Sequence, residues 1–264
     1  MTTELTPLVL TAFSGGVVAL LLTLFGGGGS VLAVPLLLYV VGVADPHVAI
    51  GVSAAGVALN ALTALAGHAR AGRVRWPCAT LFAITGAAGA WFGSSLAKMI
   101  DGHQLLLIFA VAMAAVGVTM LRPKAAVARD EPRLNWSMSP RVGMAGAGVG
   151  SAAGFFGIGG GFLIVPSLMF STRMPIYYAV GSSLVGVTAF GLTTAFNYAL
   201  DGWVDWPLAA VFIGGGVLGG LVGARLAKAL SGQKGVLNTV FAGLIFVVAL
   251  YMLYRSAGAL GLIG

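Results

Sequence analysis

A glycine-rich break occurs twice in this chain, each time inside an apolar stretch. The first copy runs Phe25-Gly26-Gly27-Gly28-Gly29-Ser30-Val31-Leu32-Ala33-Val34-Pro35, the second Phe156-Gly157-Ile158-Gly159-Gly160-Gly161-Phe162-Leu163-Ile164-Val165-Pro166. Glycine adopts backbone conformations that other residues avoid and costs about 1 kcal/mol in a helix interior, so each run ends one helix and lets another begin. The surroundings limit where such a break can sit. Hydrophobic residues make up 59% of the chain and charged residues 8%, whereas a soluble domain carries about 25% charge. Several stretches exceed the roughly 18 apolar residues that mark a spanning helix. The chain therefore reads as an all-α polytopic membrane protein. In lipid, a broken backbone is tolerated only where protein or a polar cavity surrounds it. Breaks in matching positions of two halves point to a transporter's binding site.

The duplication extends well beyond the glycines, at an offset of about 130 residues. Ala49-Ile50-Gly51-Val52-Ser53 matches Ala179-Val180-Gly181-Ser182-Ser183, and Gly72, Val74, Trp76 and Pro77 match Gly202, Val204, Trp206 and Pro207. Gly86, Gly89, Gly93, Leu96, Ala97 and Lys98 match Gly216, Gly219, Gly223, Leu226, Ala227 and Lys228. Two repeats result, 1–121 and 142–264, joined by a polar linker over 122–141. Each contains a glycine-broken helical hairpin and three spanning helices. The hairpins are expected at 8–24 with 30–43 and at 142–157 with 161–171, the spans near 47–66, 78–97, 104–121, 178–199, 207–227 and 236–254.

A hairpin returns the chain to its starting side, so three further spans invert the second repeat relative to the first. Charge agrees. With Arg70, Arg73 and Arg75 cytoplasmic, inversion puts 12 of the 14 basic residues and the linker inside, leaving only Lys98 and Arg255 outside. That distribution fits the positive-inside rule better than a parallel arrangement. The net charge of +7 then reflects orientation rather than a nucleic-acid partner. Small-residue ridges (Gly146, Gly150, Gly154; Gly15, Ala19, Thr23; Gly89, Gly93; Gly219, Gly223) let helices approach closely. Packing within the chain is the leading reading, with a homodimer seam as the alternative.

The acidic residues narrow the chemistry. All seven Asp and Glu fall in loops or at span ends, whereas intramembrane carboxylates mark cation sites and proton relays. No phosphate-binding G-x-x-x-x-G-K-[ST] loop and no H-E-x-x-H is present, and no metal-ligand cluster or nucleophile–base pair appears within the spans. Neither an enzyme nor a cofactor is expected. The spans offer neutral polarity instead. Each glycine turn precedes a new helix, near Ser30 and near Gly161. A helix N-terminus carries roughly half a positive charge and free N–H donors, which suits an anion. Candidate ligands to a small anion are Gly28, Gly29, Ser30, Gly159, Gly160 and Gly161 from the turns, with Ser53, Asn60, Ser182 and Ser183 from the helices that follow.

The glycine motifs with their downstream prolines, and the Ala-x-Gly-x-Ser after each, resemble the TauE/SafE family of membrane permeases, the sulfite exporters. The second copy is close to the family's usual pattern. The first departs from it at Gly27, where an apolar residue is common, and at Ser30, where glycine is common. The resemblance implies a secondary transporter, an exporter of sulfite or small organosulfonates across the bacterial cytoplasmic membrane. The residues by themselves reach a small-anion transporter working by alternating access. A coupled proton or sodium ion, an anion channel, and a non-transporting membrane scaffold stay open on that reading.

Overall fold

The computed structural model describes residues 2–121, 139–229 and 234–259. Among them the chain is helical throughout. The elements are α1 (Thr2–Phe25), a 3-10 segment (Gly26–Leu32), α2 (Ala33–Leu36) opening into a wide π turn (Leu37–Val41), α3 (Pro46–Arg70), α4 (Trp76–Ala97) and α5 (Gly102–Leu121). The second half supplies α6 (Ser139–Phe156), α7 (Gly161–Thr172), α8 (Ile176–Leu200), α9 (Trp206–Ala229) and α10 (Lys234–Ala259). Of the expected linker, 122–138 lies outside the described residues and Ser139 to Arg141 already belong to α6. Among the described residues, five helices are long and apolar enough to cross a membrane, namely α1, α3, α4, α8 and α9. In lipid only a helix satisfies every backbone group within its own segment, which is why such apolar runs coil. Prolines start several of them: Pro46 opens α3, and Trp76-Pro77 and Trp206-Pro207 open α4 and α9. The missing N–H is harmless in a first turn.

The contacts between helices survive exchange of the two halves. α1 packs on α9 as α6 packs on α4; α3 packs on α9 as α8 packs on α4; α3 meets α8, and α5 meets α10. Glycines set the two closest interfaces. A Cβ on Gly86, Gly89, Gly93, Gly150 or Gly154 would overlap backbone or an aromatic ring across the α4–α6 interface or beneath it, and one on Gly15, Gly215 or Gly219 would overlap backbone across α1–α9. The small-residue ridges thus pack helices inside the chain, close enough for backbones to touch. Gly15 faces Phe212 and Gly223 faces Leu20, so α1 and α9 run parallel; Gly86 faces Gly146 and Gly93 faces Ser151, so α4 and α6 do too. By contrast Gly51 abuts Trp203 and Gly181 abuts Arg73, so α3 and α8 run antiparallel. The core lies along α3 and α8, which are the most enclosed of the apolar helices, and large exposed side chains such as Phe92, Phe170, Phe196 and Leu218 cover the periphery.

The two glycine turns fold differently. In the second, Gly157, Gly159 and Gly160 take φ of 65°, 63° and 66°, the left-handed region open to glycine, and α7 starts at Gly161 as expected. In the first, neither Gly28 nor Gly29 is left-handed; the chain winds as a 3-10 helix through Leu32, so the new helix starts at Ala33 rather than near Ser30. Side-chain anchorage accounts for the difference. Ile158 is fully buried between two left-handed glycines, while the first copy has Gly27 at that place and nothing to pin an open turn.

Candidate functional site

The second glycine turn sits at the centre of the molecule. A Cβ at Gly159 would lie 3.0 Å from Val187 and 3.1 Å from Val57. These valines occupy equivalent positions of α8 and α3 in the sequence repeat, so Gly159 lies between the two central helices. The single proton of the Ser53 hydroxyl is shared between the Gly157 carbonyl at 3.0 Å and the Ile50 carbonyl of its own helix at 2.9 Å. Ile50 itself fills the space beside Gly157, where a Cβ would collide with it. The turn is thus clamped to α3 by one hydroxyl and one methyl group. Gly160 caps α7 with no side-chain partner for the first N–H groups of that helix, which leaves backbone donors at its N-terminus. The first turn packs against α7 and α8 from the other half, and Gly28, Gly29, Ser30 and Gly161 are all buried. Gly29 lies against the backbone of Leu21 and Leu22 in α1. The two turns therefore meet in the core.

Asn60 stands close to the middle of α3, two turns beyond Ser53. It is 2% exposed, and neither its Oδ1 nor its Nδ2 has a partner. Its amide lies on Gly216 of α9, where a Cβ would overlap it. The equivalent place in the other half holds Phe190 on Gly86, and Phe190 stacks on Phe82 with ring centroids 5.9 Å apart. One half thus presents an amide where the other presents a phenyl ring. A buried amide without partners is rare and calls for an explanation. Thr194 adds a hydroxyl buried in α8 without a partner.

The remaining sequence-predicted residues do not all join this centre. Ser183 donates to the Val180 carbonyl at 2.8 Å, repeating the local bond of Ser53. Ser182 is directed to the end of the molecule, where its hydroxyl accepts from the Arg75 N–H at 2.9 Å. Sequence reasoning also passed over a polar knot at the other end. Asn197 donates to the hydroxyls of Ser94 and Ser95 at 2.6 Å and 3.0 Å and accepts from Lys98 Nζ at 2.9 Å, and Lys98 also pairs with Asp201. A lysine beside a span end was a visible signal, but its partners lie about a hundred residues away and no local pattern links them. Among the described residues no group of three metal-ligating side chains occurs.

Comparison with known proteins agrees with the fold. The family model described as "Sulfite exporter TauE/SafE" matches residues 11–252. A "Probable membrane transporter protein" of Xylella fastidiosa strain Temecula1 is 50% identical over 254 residues, covering 96% of this chain and 97% of its own length. The "Probable membrane transporter protein YdhB" of Bacillus subtilis is 26% identical over 77% of this chain and 82% of its own, and MJ0441 of Methanocaldococcus jannaschii, described in the same words, is 25% identical over 90% and 92%. No solved structure matches. With apolar helices long enough to span and a family model matching nearly its whole length, this multi-pass membrane protein belongs to the sulfite exporter TauE/SafE family of transporters.

Proposed function

We propose that the chain is a secondary transporter that exports small sulfur-containing anions, such as sulfite or organosulfonates, across the cytoplasmic membrane by alternating access around the paired glycine turns. The observation that carries this reading is the buried, unpartnered Asn60 amide, one turn along α3 from Val57, which meets Gly159. An amide donor suits an oxyanion, and the bare N-terminus of α7 supplies backbone donors of the same polarity. The described acidic residues support an anionic rather than cationic cargo: Glu4, Asp45, Asp101, Asp201 and Asp205 all lie at helix ends or in turns. Two inverted-topology repeats are part of the proposal. Its support is the exchangeable contact pattern, together with the antiparallel course of α3 against its counterpart α8. A two-fold axis relating antiparallel spanning helices lies in the membrane plane, which gives alternating access its two equivalent end states.

The test is flux through the purified chain in liposomes. Solid-supported-membrane currents and radiolabelled uptake are recorded on stepping sulfite, sulfoacetate, taurine, thiosulfate and sulfate. Saturable flux of one sulfur anion, accelerated by the same anion on the opposite side, is expected. Flux that rises linearly without countertransport would identify a channel instead, and silence in both assays with folded protein would remove the transport reading.

A further inference from the structure

The two ends of the molecule are opposite in charge and in how their helix N-termini are finished. At one end, Asp45 accepts from the His47 N–H at 2.8 Å, Asp101 from the His103 N–H at 2.9 Å and Asp205 from the Leu208 N–H at 2.9 Å. Carboxylates therefore cap α3, α5 and α9 there, the usual complement to a helix N-terminus. At the other end, α4 and α8 follow the N-cap residues Arg75 and Pro175 with no side-chain cap at all.

That uncapped end carries two arginines on a tyrosine platform. The Arg73 guanidinium lies 4.7 Å from the Tyr177 ring centroid and the Arg75 guanidinium 4.0 Å from that of Tyr178. The two rings meet edge to face with centroids 5.5 Å apart. Stacking occupies the face of a guanidinium and leaves the N–H donors around its edge unused. Both Nε atoms are buried without a partner, and among the described residues neither arginine pairs with a carboxylate. The corresponding places at the opposite end hold His47 stacked on Trp203 at 4.6 Å, with Asp205 where Arg75 would be. Two fixed cations, two bare helix N-termini and the Ser182 hydroxyl on the Arg75 N–H thus converge at one mouth only.

We propose that Arg73 and Arg75 form an oxyanion-binding site at this mouth, taking a sulfonate, sulfate or phosphate group through the free edges of their guanidinium forks. The site is separate from the glycine turns. Under the transport reading above, on which this role rests, it gathers the anion at the end from which it enters. The other end carries Asp45, Asp101, Asp201 and Asp205 together with Lys98 and Arg255 and, among the described residues, has no paired arginines on a tyrosine platform; its acidic excess disfavours rebinding of the anion after release. A phosphate-bearing lipid headgroup offers the same chemistry as a soluble oxyanion, so the two sources must be separated by experiment.

The full-length protein is placed in nanodiscs of neutral phosphatidylcholine and titrated with sulfoacetate and with sulfate at low ionic strength, with intrinsic tryptophan fluorescence, to which Trp76 beside Arg75 contributes, as the reporter. The titration is repeated with phosphatidylglycerol in the disc. Saturable quenching is expected, and R73Q/R75Q should raise the half-saturating concentration about tenfold or more, the weight of a lost charge-assisted fork. R73K/R75K should recover only part, because lysine keeps the charge without the planar donors. If the headgroup is the occupant, phosphatidylglycerol will right-shift the anion titration of the wild type and leave R73Q/R75Q unaffected. Should the variants fail to fold, phenylglyoxal modification of the wild type provides the reading: sulfate should protect Arg73 and Arg75 and leave Arg70 and Arg173 reactive. Equal titration and equal lipid response in wild type and folded R73Q/R75Q, or protection that ignores Arg73 and Arg75, overturns the site. The outcome is separable from transport. Arginine-dependent binding without flux keeps the site and removes its transport role, whereas saturable flux with arginine-independent binding keeps transport and removes the site.

Discussion

Asn60→Leu separates function from stability at one position. In the folded chain the Asn60 amide is buried with both polar atoms unpartnered, and leaving such a group unsatisfied costs about 1–3 kcal/mol. Leucine removes that cost. It is bulkier than asparagine, but Phe190 occupies the equivalent place over Gly86, so a large apolar side chain has a precedent in this packing. Overpacking against Gly216 offsets part of the gain, by about 1 kcal/mol. The variant should therefore be at least as stable as the wild type, by up to about 2 kcal/mol, which is up to several degrees in melting temperature at about 2–4 °C per kcal/mol for a chain of this size. Transport should move the other way. Losing a hydrogen bond to a charged ligand costs about 1.5–3 kcal/mol, so kcat/KM for the anion should fall about 10- to 100-fold. Tryptophan fluorescence during heating reports the first quantity and counterflow in liposomes the second. A variant that melts below the wild type while transporting normally would refute the reasoning, since the amide would then be structural and bound to nothing that moves.

Four other substitutions test neighbouring parts of the structure. Ser53→Ala deletes the bond to the Gly157 carbonyl and should cost about 1 kcal/mol, with a drop in transport rate measured in the same counterflow assay. Gly150→Ala places a methyl group against the backbone of Gly86; thermal unfolding should show a loss of about 1–3 kcal/mol, the usual cost of overpacking. Lys98→Met leaves the Asn197 carbonyl oxygen and Asp201 without their shared partner and should cost about 1–3 kcal/mol, which Asp201→Asn should partly relieve in a double-mutant cycle of melting temperatures. Among the described residues Arg173 is the one non-glycine residue with positive φ, at 57°, at the place where the first hairpin has Gly42 at 87°. Arg173→Gly should stabilise the folded chain by about 1 kcal/mol through relief of left-handed strain, again read by melting.

Much of the fold is legible in the sequence because lipid leaves few choices. The apolar runs and the prolines ahead of Cys78 and Leu208 locate the helices to within a few residues, and the matched glycines predict interfaces that the structure then fills. The candidate site is legible only in part. Gly157, Gly159 and Gly160 take the left-handed conformations that a Gly-x-Gly-Gly run permits, and Ser53 lies beside them as its spacing suggests. The first turn is not legible, because four successive glycines permit several backbones and only tertiary contacts select the tight winding. Ser182 carries the same lesson. Its place in the repeat suggests a central role, yet its hydroxyl serves Arg75, 107 residues away in sequence. The offset of the repeat sets Asn60 against Phe190, but the weight of that contrast depends on Gly216 and Gly86 making room for them.

The interlocked ridges have a consequence for how the protein is made. α1 finds its close-packed partner in α9, and α4 finds its own in α6. When the first five helices have left the ribosome and entered the bilayer, the glycine faces of α1 and α4 have nothing to close against except lipid. Neither repeat is a finished body by itself, and final assembly waits for the last third of the chain to be synthesised. Cutting the chain between 122 and 138 should then give two fragments that each insert and are each degraded when expressed separately, but that protect one another when made together.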